Sequence, residues 1–224
     1  MTPALIATAA CAAATLALVA AERRIARGEV GEPTRRIPKL AAAACFVAAG
    51  FLAGAGSWPY GRWIAAALIL GALGDAALLD SKRRGFVIGL ALFAIDHALV
   101  MRAAALVAPP SSWLGPWAIA PGLAVVLVLR WLWPNLGHLR VPVAIYTVLI
   151  ALTLTAAAAP YLTGAPAWFG ERRAALLAGG ALCFFVSDLA VARQRFAHQS
   201  FWNKAWGLPL YFAGQLLIAW SAAA

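Results

Sequence analysis

Long apolar runs separated by short polar breaks make up most of the chain. Eight runs of about 18 to 22 residues recur. They cover roughly 3–21, 39–56, 61–79, 85–107, 116–133, 141–158, 174–192 and 205–222. A helix of that length spans the hydrocarbon core of a bilayer. The breaks carry helix-stop chemistry, as in "GEPTRRIP", "GSWPYG", "APPSSWLGP" and "WPNLGHLRVP". The longest connection, about residues 22–38, is mostly polar.

Composition agrees with this pattern. Of 224 residues, 64% are hydrophobic and only 12% are charged, and the mean hydropathy is +0.83. A soluble domain of this size needs less apolar residue, because its surface must face water. The expected fold is therefore all-α: a polytopic membrane bundle of about eight helices, as one integral membrane domain over residues 1–224. The first run reads as a span and not as a signal peptide, because Arg23, Arg24 and Arg27 follow it. Cys11, Cys45 and Cys183 lie scattered in apolar segments, with no metal-ligand or disulfide spacing.

The net charge of +10 raises the question of a nucleic-acid partner. The placement of the charge argues against one, since the basic residues sit in clusters between apolar runs. With eight spans, fourteen of the eighteen Lys and Arg fall on one face; Arg62, Arg102, Arg172 and Arg173 fall on the other. The positive-inside rule makes the basic face cytoplasmic and puts both termini outside. The expected location is the cell (cytoplasmic) membrane, with the bilayer as partner. Most of the ten Trp lie near predicted helix ends, where indole rings favour the interface.

The stretch "LGDAALLDSKRRGF" at the end of the third run resembles "VSDLAVARQRF" at the end of the seventh. Asp188 follows Asp75 by 113 residues, about half the chain. A parallel four-plus-four repeat would place these two acids alike.

Five acids, Glu22, Glu29, Glu32, Asp80 and Glu171, fall in loops or at helix ends and read as solvated or headgroup-level charges. Asp75, Asp96 and Asp188 fall inside the membrane, where an ionisable group is expensive and faces a cavity or a partner. Counting along the predicted helices puts Asp75 and Asp188 about four residues, roughly 6 Å, from the cytoplasmic end. Tyr146 and Tyr211 fall about five and six residues into their helices, in the same shallow layer. His97 and Gln215 come deeper. Tyr211 and Gln215 share a helix face. Asp96 and His97 are adjacent and point about 100° apart, so both cannot fully face one cavity; His97 is the one expected to face inward.

Two carboxylates in one low-dielectric cavity do not both ionise readily. Such a pair supplies an acid and a base, sufficient for hydrolysis without metal. No cofactor or metal is expected: the chain has no P-loop and no GxGxxG, and His138 and His198 fall in loops away from His97. The residues alone leave open a proton-coupled transporter, which membrane Asp and His also suit.

The segments "LGDAALL", "GLALFAIDHAL", "VPVAIYTVLIALTLTAA", "LCFFVSDLAVARQRF" and "LPLYFAGQLLIA" resemble the signatures of the YhhN family of membrane lysoplasmalogenases. The resemblance runs from the second predicted helix to the C-terminus. It implies hydrolysis of the vinyl ether bond of a lysophospholipid, the lysoplasmalogen, giving a fatty aldehyde and glycerophospho-ethanolamine or -choline. Another lysolipid or ether lipid is the alternative substrate. It implies Asp75 and Asp188 as the active pair, with His97, Tyr146, Tyr211 and Gln215 lining the site. Lys39, Arg140 or Lys204 is a candidate partner of the lipid phosphate; the same basic residues also read as topology signals alone. Two positions depart from the family pattern: Val100 stands where an aromatic Tyr is usual, and Pro38 precedes Lys39 where Lys-Pro is usual.

Overall fold

The helices begin on chemistry that their own sequences supply. Thr2 Oγ1 accepts a hydrogen bond from the Leu5 amide at 3.4 Å, ahead of helix α1 (Pro3–Ala26). Ser200 Oγ accepts from the Trp202 amide at 3.2 Å, ahead of α8 (Phe201–Ser221). Pro59 occupies the first turn of α3 (Pro59–Ala77), where its missing N–H costs nothing. The remaining helices are α2 (Arg36–Leu52), α4 (Arg83–Ala104), α5 (Ile119–Leu132), α6 (Arg140–Leu162) and α7 (Glu171–Ala192). These elements come from a computed structural model, which describes residues 2–223. Eight α-helices and no strands occur among the described residues, and each helix overlays one predicted run.

Five segments are long and apolar enough to cross a membrane: α1, α4, α6, α5 with its flanking turns, and α7 with the turn after it. Together the eight helices form a polytopic membrane bundle. Its outer surface is apolar, with Leu16, Ile119, Val126 and Ile145 each more than 60% exposed. An aqueous protein would hide such residues; a bilayer solvates them. The other three helices, α2, α3 and α8, pack on one another and carry Lys39, Asp75, Tyr211 and Gln215.

The most extensive packing joins α7 to α8 and α3 to α4. Helices α7 and α8 meet at Gly180 and Gly214. A Cβ on Gly180 would stand 2.9 Å from the Gly214 carbonyl oxygen, so this approach needs small residues, as is common in membranes. Helix α4 also packs on α6, and α8 on α2. A shift of four helices interchanges these two pairings, and the same shift relates Asp75 to Asp188.

In the connection after α1, Glu32–Arg35 forms a 3-10 turn leading straight into α2. One sequence expectation changes here. Glu22 is not a solvated charge: it lies within α1 and is buried. Its carboxylate receives Lys204 Nζ at 2.7 Å from α8 and Arg35 Nε at 3.3 Å from the 3-10 turn.

Candidate active site

Asp75 sits two residues before the last residue of α3, in the closing "LGDAA", and its carboxylate is buried. The Tyr211 hydroxyl donates to Asp75 Oδ2 at 2.7 Å. Lys39 Nζ, from the first turns of α2, lies 3.2 Å from Oδ1. One carboxylate oxygen thus takes a hydroxyl from α8 and the other an ammonium from α2.

Asp188 occupies the corresponding place near the end of α7 and is half-buried. The Tyr146 hydroxyl, from α6, donates to its Oδ2 at 2.7 Å. No Lys or Arg lies within ion-pair distance of Asp188 among the described residues. The two carboxylates share one design, an Asp held by a Tyr from a neighbouring helix. They differ in that only Asp75 has a cation.

A second rank of polar groups stands behind the two tyrosines. Gln215 Nε2 donates to the Tyr211 hydroxyl at 3.4 Å. His97 Nε2 lies 3.4 Å from the Tyr146 hydroxyl. The single Tyr146 proton points to Asp188, so this contact needs the tautomer with hydrogen on Nε2. Phe184 separates the two arms, packing edge-on against His97 at 4.6 Å and Tyr211 at 5.3 Å between ring centres.

Asp96 and His97 are both buried and, as their 100° separation requires, do not face the same neighbour. Helix α4 lies between two partners, so each residue faces a different one. His97 faces Tyr146 and Phe184. Asp96 faces Gln215 beside Gly71 of α3: a Cβ built on Gly71 would stand 2.8 Å from Gln215 Nε2 and 3.4 Å from Asp96 Oδ2. A larger residue here would have to displace the Gln215 amide.

A cavity of roughly 400 Å³ opens on this layer. Asp75, Asp188, Tyr146, Tyr211 and Lys39 line it. His97, Gln215 and Asp96 are not among its lining residues; they act on the lined groups from behind. Apolar walls come from Phe93, Val128, Ile150 and Phe184. Lys204 also lines the cavity. Arg140 does not; its guanidinium lies 5.4 Å over the Trp133 ring.

Tyr211 lies ten residues into α8 and not about six, because α8 begins at Phe201. It still reaches Asp75, since helical side chains lean toward the N-terminus of their helix. That lean brings the hydroxyl back to the level of Asp75. Glu22, Arg35 and Asn203 also line the cavity, and the sequence reading had not placed them there.

The chain resembles several curated proteins. Over 162 residues it is 35% identical to the lysoplasmalogenase TMEM86A of Bos taurus, covering 69% of this chain and 62% of that protein. It is 34% identical to a lysoplasmalogenase of Mycobacterium bovis, covering 70% and 59%. It is 31% identical to the human lysoplasmalogenase TMEM86A, covering 69% and 62%. The chain thus matches about three fifths of the length of these relatives. No solved structure matches it. The YhhN family profile matches residues 34–222, a range that holds both Asp–Tyr pairs, the Lys39 ammonium and the groups behind them; the chain belongs to the YhhN family.

Proposed function

We propose that this protein is a lysoplasmalogenase-type hydrolase that cleaves the vinyl ether bond of 1-alkenyl lysophospholipids. The observation that carries this reading is the unequal pair on one cavity: Asp75 with a cation, Asp188 with none. The lysoplasmalogenase names of the relatives point to the same chemistry.

In this reading Lys39 compensates the charge of Asp75, which works as the carboxylate. Asp188, open to the cavity and without a cation, carries the proton. Asp188 delivers that proton to the vinyl carbon distant from the ether oxygen. The neighbouring carbon becomes an oxocarbenium ion, facing the carboxylate of Asp75. Water adds to that carbon and gives its proton to Asp75, forming a hemiacetal. The hemiacetal hydroxyl then returns a proton to Asp188, and the C–O bond to glycerol breaks. Asp75 passes its proton to the departing glycerol oxygen. One water is consumed, and aldehyde and alcohol leave with both acids restored. General acid and base groups in such roles contribute about 10²- to 10⁴-fold each.

The basic end of the bundle is the cytoplasmic face in this reading, with both termini outside and the whole chain acting as one domain in the cell membrane. The lipid tail lies among the apolar walls. The test uses purified protein in detergent with a 1-alkenyl lysophospholipid and measures aldehyde release. Release that disappears in Asp75→Asn and Asp188→Asn is the expected result. Cleavage of an acyl lysolipid without aldehyde release from the alkenyl lipid would redirect the substrate. Full activity in both folded variants would remove the site.

A further inference from the structure

Two buried side-chain polar atoms have no hydrogen-bond partner among the described residues: Arg35 Nε and Asn203 Oδ1. Buried polar groups are ordinarily satisfied, so an orphan invites an explanation. Both orphans belong to residues lining the active-site cavity, and Asn203 is next in the chain to Lys204, which shares the Glu22 carboxylate with Arg35.

The orientation of each is fixed from behind. Asn203 Nδ2 donates to Gln194 Oε1 at 2.8 Å and to the His198 carbonyl at 2.7 Å. Two acceptors can face only the amide nitrogen, so the amide oxygen must point the other way. That oxygen is a committed acceptor awaiting a donor. Arg35 Nε lies 3.3 Å from Glu22 Oε1, yet its N–H is not aimed at that oxygen. Lys204 Nζ sits on the other Glu22 oxygen at 2.7 Å. One buried carboxylate therefore holds two cations, a surplus of one positive charge on that carboxylate. Glu32 offsets it only weakly, being exposed and 3.4 Å from Arg35 Nη2. The chain after α7 continues as a π-helical turn, Arg193–Ala197, which brings Gln194 to Asn203. Such turns are frequent at functional sites.

We infer that this part of the cavity is a lipid headgroup subsite: Arg35 and Lys204, held apart by Glu22, receive the phosphate, and Asn203 Oδ1 accepts from a donor beside it. The ligand chemistry is a phosphodiester anion carrying a hydroxyl or ammonium N–H within a few bonds. A lysophospholipid meets that description twice, through its free glycerol hydroxyl and through an ethanolamine head. Glu22 acts as a positioning residue, and Lys39 stays with Asp75. Naming the ligand a lysolipid rests on the hydrolase reading above, whereas the anion subsite does not.

The test is equilibrium binding of a lipid that cannot react. Detergent-solubilised protein is titrated with 1-O-alkyl-glycerophosphoethanolamine and with 1-O-alkyl-glycerol, which lacks phosphate. Wild type should prefer the phosphate-bearing lipid by about ten- to a hundredfold, the range for charge-assisted hydrogen bonds. Arg35→Gln and Lys204→Gln should each lose most of that preference while binding the alkylglycerol as before, which also shows that they fold. A preference that survives in both variants, or is absent from wild type, overturns the subsite. Two further lipids test Asn203: a choline head, which has no N–H, and a glycerol lacking the free hydroxyl. Weaker binding of either one identifies the donor; unchanged binding of both removes Asn203 from the subsite. No vinyl ether is cleaved in this measurement. A phosphate preference in a protein that releases no aldehyde therefore keeps the subsite and removes the hydrolase reading.

Discussion

The ammonium of Lys39 lies 3.2 Å from the carboxylate of Asp75, and both side chains are nearly sealed, at 12% and 3% exposure. Lys39 begins one arm of the site and Asp75 ends the adjacent helix. Among the described residues no such cation accompanies Asp188. Two acids that look interchangeable in the sequence are thereby made unlike by one residue, 36 positions upstream of the first. The acid and base roles proposed above follow from that asymmetry.

Removing the cation should damage the site more than the fold. In Lys39→Met the buried carboxylate of Asp75 loses its counter-charge, and breaking such a pair costs roughly 3–5 kcal/mol in soluble proteins. Neutralisation of Asp75 relieves most of that cost but removes the base. Aldehyde release is expected to fall at least about tenfold, while Lys39→Arg keeps the charge and more of the rate. Equal rates in wild type and Lys39→Met would contradict the assignment of Asp75 as base.

Asp75→Asn and Asp188→Asn preserve shape and remove one role each. Each should lower aldehyde release by about 10²- to 10⁴-fold. Asp75→Asn leaves the Lys39 ammonium without its partner, so it should also lower the thermal midpoint in detergent more than Asp188→Asn does. Scanning fluorimetry beside the rate assay reads both effects.

The tyrosines should matter less than the acids they hold. Tyr146→Phe and Tyr211→Phe each delete one 2.7 Å hydrogen bond to a carboxylate. Bonds to charged groups contribute roughly 1.5–3 kcal/mol, which converts to about a 10- to 150-fold loss in rate if the full bond acts in the transition state. Single-turnover kinetics on the two variants checks this. A loss as large as that of the Asp variants would instead give a tyrosine a direct part in proton transfer.

Much of this site was legible in the sequence, for a simple reason. Depth in a membrane helix is residue count times rise, so acids near the ends of two co-oriented helices had to share a layer. Tyr146 could be placed in that layer by the same count, whereas Tyr211, ten residues into α8, comes back to it through the lean of its side chain. What counting along one helix cannot give is which face meets which neighbour. The split of Asp96 and His97 between two helix partners depended on α4 lying between α3 and α6. The burial of Glu22 depended on Arg35 being turned back by a 3-10 turn and on Lys204, 182 residues away, meeting it. That Gln215 and His97 stand behind the tyrosines and do not line the cavity depended on helix rotation. Gly71, a small residue one turn before Asp75, is legible in the sequence only as a site for close helix packing in general.

Gly71 offers the sharpest test of the second rank. An added methyl would stand 2.8 Å from Gln215 Nε2 and 3.4 Å from Asp96 Oδ2, so Gly71→Ala must push the amide aside. Ala is a better helix former than Gly by about 0.8–1 kcal/mol in soluble hosts, which partly offsets the crowding, so the fold should survive. The displaced amide no longer donates to the Tyr211 hydroxyl, and the aim of that hydroxyl at Asp75 loosens. The substrate-lined surface is untouched, since neither Gly71 nor Gln215 lines the cavity. Gly71→Ala should therefore lower kcat by about twofold to tenfold, the range for one neutral hydrogen bond, with KM unchanged. Gln215→Leu should reproduce the effect, and combining the two should add little, because both act through the same bond. Independent losses that multiply in the double variant would separate Gly71 from Tyr211 and return it to helix packing alone.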